Sequence, residues 1–240
     1  MDKKNQITEG VIWKQLLIFF FPIMVGTLFQ QLYNTVDAII VGRFVGKQAL
    51  ASVGGSAAVL TNFVIGFFTG LSAGATVIIS QFYGAKNLKQ LSKGLHTAYA
   101  FSITVSILIS VIGWFSTPVL LHLLKTPADV IPDSILYLRI YFLGMIFTLT
   151  YNMGSSIMRA IGDSRRPLIY LVICCVINII LDILFVIVFH MGIAGAAIAT
   201  VISQGVSAIL VTRSLMKSYG ILKLELRAIR FHGALLKSEL

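Results

Sequence analysis

Six stretches of the chain are almost wholly apolar, at about 16–41, 53–82, 95–123, 134–158, 168–189 and 193–215. About 20 apolar residues in a row span the hydrocarbon core of a bilayer as a helix. The segments between them are short and hold Gly, Pro, Lys or Arg. A β-barrel would show alternating segments of ~10 residues instead, and the chain has none. The pattern predicts an all-α integral membrane protein with six transmembrane helices. The second and third are long enough to tilt or to run past the core.

Polar residues inside these spans recur at helical intervals. In the first, Gly26, Gln30, Tyr33, Asn34 and Asp37 stand at i, i+4, i+7, i+8 and i+11, which is one helical face. The fourth carries Thr148, Asn152, Ser155 and Arg159, the fifth Asn178 and Asp182, and the sixth Ala196, Thr200, Gln204 and Ser207. A carboxylate inside a bilayer is costly and marks a functional position by default. At 1.5 Å per residue, Asp37 lies ~7 Å from the outer end of its span, Asp182 ~10 Å and Thr200 ~12 Å. Three helices thus offer two carboxylates, an amide and a hydroxyl at similar depth, a set that suits a proton or a small hard cation. The alternative is interhelical hydrogen bonding. That suffices for Ser155, Ser207 or Thr200 alone, but it gives no reason for two embedded acids at one level. Pro22, about four turns before Asp37, removes a backbone hydrogen bond and predicts a kink. The kink is either static or a bend that changes with protonation.

Charge fixes an expected orientation. Outside the spans, fifteen Lys and Arg fall on the side of the N-terminus, the second and fourth loops and the C-terminal segment. Three fall on the other side, namely Arg43, Lys47 and Lys125. The positive-inside rule then puts both termini in the cytoplasm, and the expected location is the cell membrane. The remaining base, Arg139, is expected to snorkel outward from the fourth span. This distribution also disposes of nucleic acid as the reason for a net charge of +10. The 57% hydrophobic and 12% charged composition compares with about a quarter charged in soluble domains. Cys174 and Cys175 are adjacent in an apolar run and match no metal or redox spacing. The start has no small-residue cleavage site and reads as a retained span. The six-helix unit is expected over 1–215, followed by a basic amphipathic cytoplasmic linker over 216–240. No metalloprotease motif or placed nucleophile is present, and His96, His122, His190 and His232 form no cluster, so no enzyme is expected.

Three loop segments carry a resemblance: VGRFVGKQALASVGG at 41–55, SQFYGAKN at 80–87 and MRAIGDSRRP at 158–167. With them the chain resembles the multidrug and toxic compound extrusion (MATE) family over nearly its whole length. The resemblance implies one lobe of a twelve-helix transporter whose two six-helix lobes are related by pseudo-twofold symmetry. It implies export of cationic or amphipathic organic compounds in exchange for H+ or Na+, with no prosthetic cofactor. Asp37, Asn178, Asp182 and Thr200 match the family's cation site, where a sodium ion would bind, and Ala196 matches a position that lends its backbone carbonyl. Gln30 matches a polar residue beside that site, Asn152 aligns less closely, and Pro22 matches a bending proline. With Tyr33, Asn34 and Gln204, the residues Gln30 and Asn152 are expected to line the substrate cavity. The chain stops where the second lobe should begin, so the expectation is a first-lobe polypeptide, a fragment or truncated gene product. Its partners would be the bilayer, small organic cations or amphipathic drugs, and a second lobe or second copy. Two other readings remain open: a lipid-linked oligosaccharide flippase of related plan, and a half-length membrane remnant that does not transport.

Overall fold

The computed structural model describes residues 12–217 and Leu224. Among them every regular element is helical: α1 (Ile12–Ile40), a π-helical turn (Val41–Val45), α2 (Lys47–Gly54), α3 (Ser56–Gly84), α4 (Leu88–Leu123), α5 (Ile131–Leu143), α6 (Met145–Ala160), α7 (Arg165–Asp182), a second π-helical turn (Ile183–Val188) and α8 (Gly192–Lys217). Five segments are long and apolar enough to cross a membrane: Leu16–Val45, Lys47–Gly84, Leu88–Leu123, Arg165–Val188 and Gly192–Lys217. The pair α5 and α6, bent by 50°, makes the sixth when counted as one span. The protein is therefore an all-α, multi-pass membrane protein. The expected linker over 216–240 lies outside the described residues except for Met216, Lys217 and Leu224.

Local chemistry explains where the helices depart from the apolar runs. The α4 helix begins at Leu88 rather than near 95, because Asn87 Oδ1 accepts the Gln90 N–H at 3.2 Å and caps the helix start. The expected first loop is largely helical. After α1 the Gly46 N–H reaches back five residues to Val41 O at 3.1 Å. Gly46 itself sits at φ 128°, a conformation that favours glycine. The chain then folds into α2, eight residues long. The fourth span bends at Gly144, where any Cβ would collide with Val201 of α8.

Small residues let the helices approach closely, as in other membrane bundles. The α8 helix packs on α5, α6 and α7, α4 packs on α5 and α6, and α3 packs on α4 and α6. A Cβ at Gly154 of α6 would overlap Val211 of α8, and one at Gly113 of α4 would overlap Phe142 of α5. Met145, Leu149, Met153 and Ile157 of α6 form the centre of the buried core. The outer face of α4 presents Ile112, Phe115, Val119 and Leu123, all exposed, as a lipid-facing surface requires. By contrast α1 packs mainly on α7 and leaves most of its circumference exposed.

At one end of the bundle α2 is stitched to the α4–α5 connection. Gln48 Nε2 donates to Asp129 O, Thr126 Oγ1 bonds Ser56 Oγ at 2.8 Å, and Ser134 Oγ donates to Ser52 O at 3.0 Å. At the opposite end, Asp163 Oδ1 accepts the Arg166 N–H at 3.1 Å and fixes the start of α7, with an ion pair to Arg166 Nε at 3.3 Å.

Candidate functional site

Both intramembrane carboxylates stand at the same structural device. Asp37 lies one turn before the first π-helical turn, and Asp182 is the last α-helical residue before the second. The two π turns touch each other and α8. A π turn carries one extra residue and re-aims the side chains around it, and such turns recur at functional sites. Here they bring the ends of α1 and α7 together over the first half of α8.

The two carboxyl groups are neighbours close enough to interact directly. Asp37 is 8% exposed, and Asp182 and Asn178 are fully buried. Asp37 Oδ1, both Asp182 oxygens and both amide atoms of Asn178 are buried with no hydrogen-bond partner. On the facing helix the Thr200 hydroxyl donates to Ala196 O at 3.0 Å, which leaves its own lone pairs free to accept. Tyr33 of α1 approaches Asp37, Thr200, Tyr137 and Tyr141. Burying unpartnered polar atoms costs free energy, and an unpaired charge costs far more. Two adjacent carboxylates also resist ionising together. The arrangement is thus a concentrated set of oxygen acceptors that a proton or a small cation would satisfy. Among the described residues no group of three or more His, Cys, Asp and Glu forms a metal cluster.

Asp37, Asn178, Asp182, Thr200 and Ala196 are all buried; Asp37 and Asp182 are neighbours, and Tyr33 stands near both Asp37 and Thr200. It divides the residues expected at the substrate cavity. Gln30 and Asn34 are exposed on the open side of α1, whereas Tyr33 turns inward to the carboxylates. Asn152 is half-buried, its amide donating to Thr148 O at 2.9 Å. Gln204 is half-buried, with an unpartnered, buried Oε1. Pro22 is buried in α1. Arg139 of α5 stacks on α4, its guanidinium 5.3 Å from the Trp114 ring centroid.

Sequence reasoning passed over Tyr137 and Tyr141. Their rings stack at 6.0 Å, and Tyr137 lies beside both Asp37 and Asp182. The signal was present as two tyrosines four apart in the fourth span, one helical face with hydroxyls to spare. Also passed over was a stripe on α3 of Asn62, Gly66, Thr69, Gly70 and Ala73, all exposed. It gives α3 a small and polar open face like that of α1.

Comparison with known proteins follows the same outline. The MatE family model matches residues 22–184. The chain is 36% identical over 205 residues to "Probable multidrug resistance protein YpnP" of Bacillus subtilis, covering 85% of this chain and 46% of that protein. Among solved structures, "Crystal structure of MATE in the bent conformation" matches at a TM-score of 0.90 and 25% identity, over 100% of this chain and 53% of that one. "Crystal structure of MATE in the straight conformation" matches at 0.88 and 25%, with the same coverage. The chain spans about half the length of the curated relatives it matches.

Proposed function

Because this chain belongs to the MatE family, whose members are transporters and not enzymes, we propose that it forms one six-helix lobe of an efflux carrier. The carrier exchanges a proton or a sodium ion for cationic or amphipathic organic compounds. It sits in the cell membrane with both termini cytoplasmic, and a second lobe or a second copy supplies the other wall of the substrate cavity. The reading rests on one observation: Asp37 and Asp182 lie side by side, buried, with Asp37 Oδ1 and both Asp182 oxygens unpartnered. Such a pair makes physical sense as a coupling site, because an ion neutralises the charge that burial penalises.

The coupling follows from how α1 is held. It packs mainly on α7, which it meets at the ion site through Asp37 and Asp182, and it reaches α8 through Tyr33 and Thr200. Filling the site with a cation draws α1 onto α7 and α8. Emptying or neutralising it releases that hold. Pro22 lacks the N–H that would tie its turn to the one before, so α1 can bend there. Bending moves Gln30 and Asn34, on the open side of α1, and with them the proposed cavity wall. The match to a MATE solved both bent and straight supports a lobe with two arrangements. Alternating access then rocks two bundles around a shared site.

The test joins the chain to a second lobe of the same family in everted vesicles. Dye efflux is measured under an imposed proton gradient and, separately, a sodium gradient. Efflux driven by one gradient and abolished by Asp182→Asn supports the reading. Efflux that proceeds equally without either gradient contradicts it.

A further inference from the structure

Arg139 is the one cation inside the fourth span that neither the ion site nor the loop charges account for. It stands on the face of α5 opposite Tyr137 and Tyr141, hence away from the carboxylates. Its guanidinium lies over the Trp114 ring of α4. Its Nε is buried without a hydrogen-bond partner, and no carboxylate or other acceptor among the described residues meets it. A guanidinium has five N–H donors, and leaving them unmet in an apolar medium is costly. Some acceptor outside the lobe must complete it.

The surroundings identify the acceptor. The same-face neighbours Leu136 and Leu143 on α5, and Val111 and Phe115 on α4, are all exposed, Phe115 at 75%. The crevice therefore opens onto acyl chains. Arg139 lies ~12 Å along α5 from its start, and half the hydrocarbon core is ~15 Å thick. Helical side chains point back toward the N-terminus, which for α5 is the end stitched to α2. The long side chain thus rises toward the headgroups, as arginines in membrane helices do.

We propose that Arg139 and Trp114 form a binding site for an anionic phospholipid, in the leaflet at the end of the lobe that also holds Asp37 and Asp182. The guanidinium takes the lipid phosphate in a two-pronged hydrogen bond, a geometry suited to arginine and not to lysine. Trp114 supports the guanidinium from below and lies against the first part of an acyl chain. This site is separate from the carboxylate pair, and its occupant is a structural lipid of the carrier.

The chain has two tryptophans, so Trp13→Phe leaves Trp114 as the single indole reporter. The variant is reconstituted in mixed phosphatidylcholine and phosphatidylglycerol bilayers in which one lipid or the other carries brominated chains. At equal mole fraction, brominated phosphatidylglycerol should quench Trp114 several-fold more than brominated phosphatidylcholine. Adding Arg139→Gln should bring the ratio to about one, and Arg139→Lys should leave an intermediate value. A ratio of one with Arg139 intact overturns the proposal, whether or not the glutamine variant folds. An undiminished preference in a folded Arg139→Gln protein overturns it as well.

Discussion

Adding one methyl group at Gly154 should damage the whole lobe. The Cβ of Gly154→Ala would overlap Val211 Cγ1 and stand 3.0 Å from the Tyr99 hydroxyl. Neither neighbour can yield cheaply. Val211 is fully buried, and the Tyr99 hydroxyl is held by Thr212 Oγ1 at 3.1 Å. Overpacking of this kind costs about 1–3 kcal/mol, and a clash against a fully buried valine and a hydrogen-bonded tyrosine belongs in the upper part of that range. A cost of about 2–3 kcal/mol lowers the folded-to-unfolded ratio roughly 30- to 150-fold. Val211→Ala alone leaves a cavity and should cost about 1–2 kcal/mol. The pair should cost less than the sum by about 1 kcal/mol or more, since the second change makes room for the first. Unfolding in detergent, followed by circular dichroism for the unaltered chain and the three variants, measures this. A silent Gly154→Ala, or strictly additive costs, would refute the close approach of α6 and α8.

Topology is checked by cysteine labelling: Lys125→Cys should react with an impermeant reagent added from outside, and Lys89→Cys only after the membrane is opened. Asp163→Ala should cost about 1 kcal/mol by removing the oxygen that caps α7. Asp163→Asn should retain most of that stability in the same unfolding assay, because its amide oxygen can still accept the Arg166 N–H. Tyr137→Phe removes one hydroxyl beside Asp37 and Asp182. The hydroxyl acts on the acids through space and not through a hydrogen bond, so the change should shift the apparent affinity for the coupling ion by less than about ten-fold, with little effect on unfolding.

What could be read from the sequence followed the strength of each physical signal. Asp37 and Asp182 were legible because an acid in an apolar run has no cheap explanation, and Asn178 and Thr200 followed from their four-residue spacing. The spans were legible because the bilayer demands long apolar runs. Tyr137 and Tyr141 escaped notice because a tyrosine blends into an apolar span, and only the folded bundle brings Tyr137 near the acids. The two π turns were invisible because one extra residue in a helix leaves no periodic trace. So were α2, whose KQALASVG is too short and mixed to stand out, and the bend at Gly144, which depends on Val201 of another helix. The stacking of Arg139 on Trp114 was not legible, since nothing in the sequence near Arg139 indicates that partner.

The central claim is that Asp37 and Asp182 act as one ion site, and a double-mutant comparison tests it most directly. Ion-driven drug efflux is measured in vesicles bearing the chain joined to a second lobe, with Asp37→Asn, Asp182→Asn and both together. Asn178→Ala and Thr200→Ala, which remove neutral ligands, and Ser155→Ala, away from the pair, serve as comparisons. Each single Asp variant should lose at least ten-fold in coupled efflux, about 1.4 kcal/mol of coupling. The double variant should be little worse, because either change already breaks the shared site. The neutral-ligand variants should lose less, and Ser155→Ala should be nearly silent. Wild-type coupling in both single Asp variants would contradict the account and return the two carboxylates to a structural role.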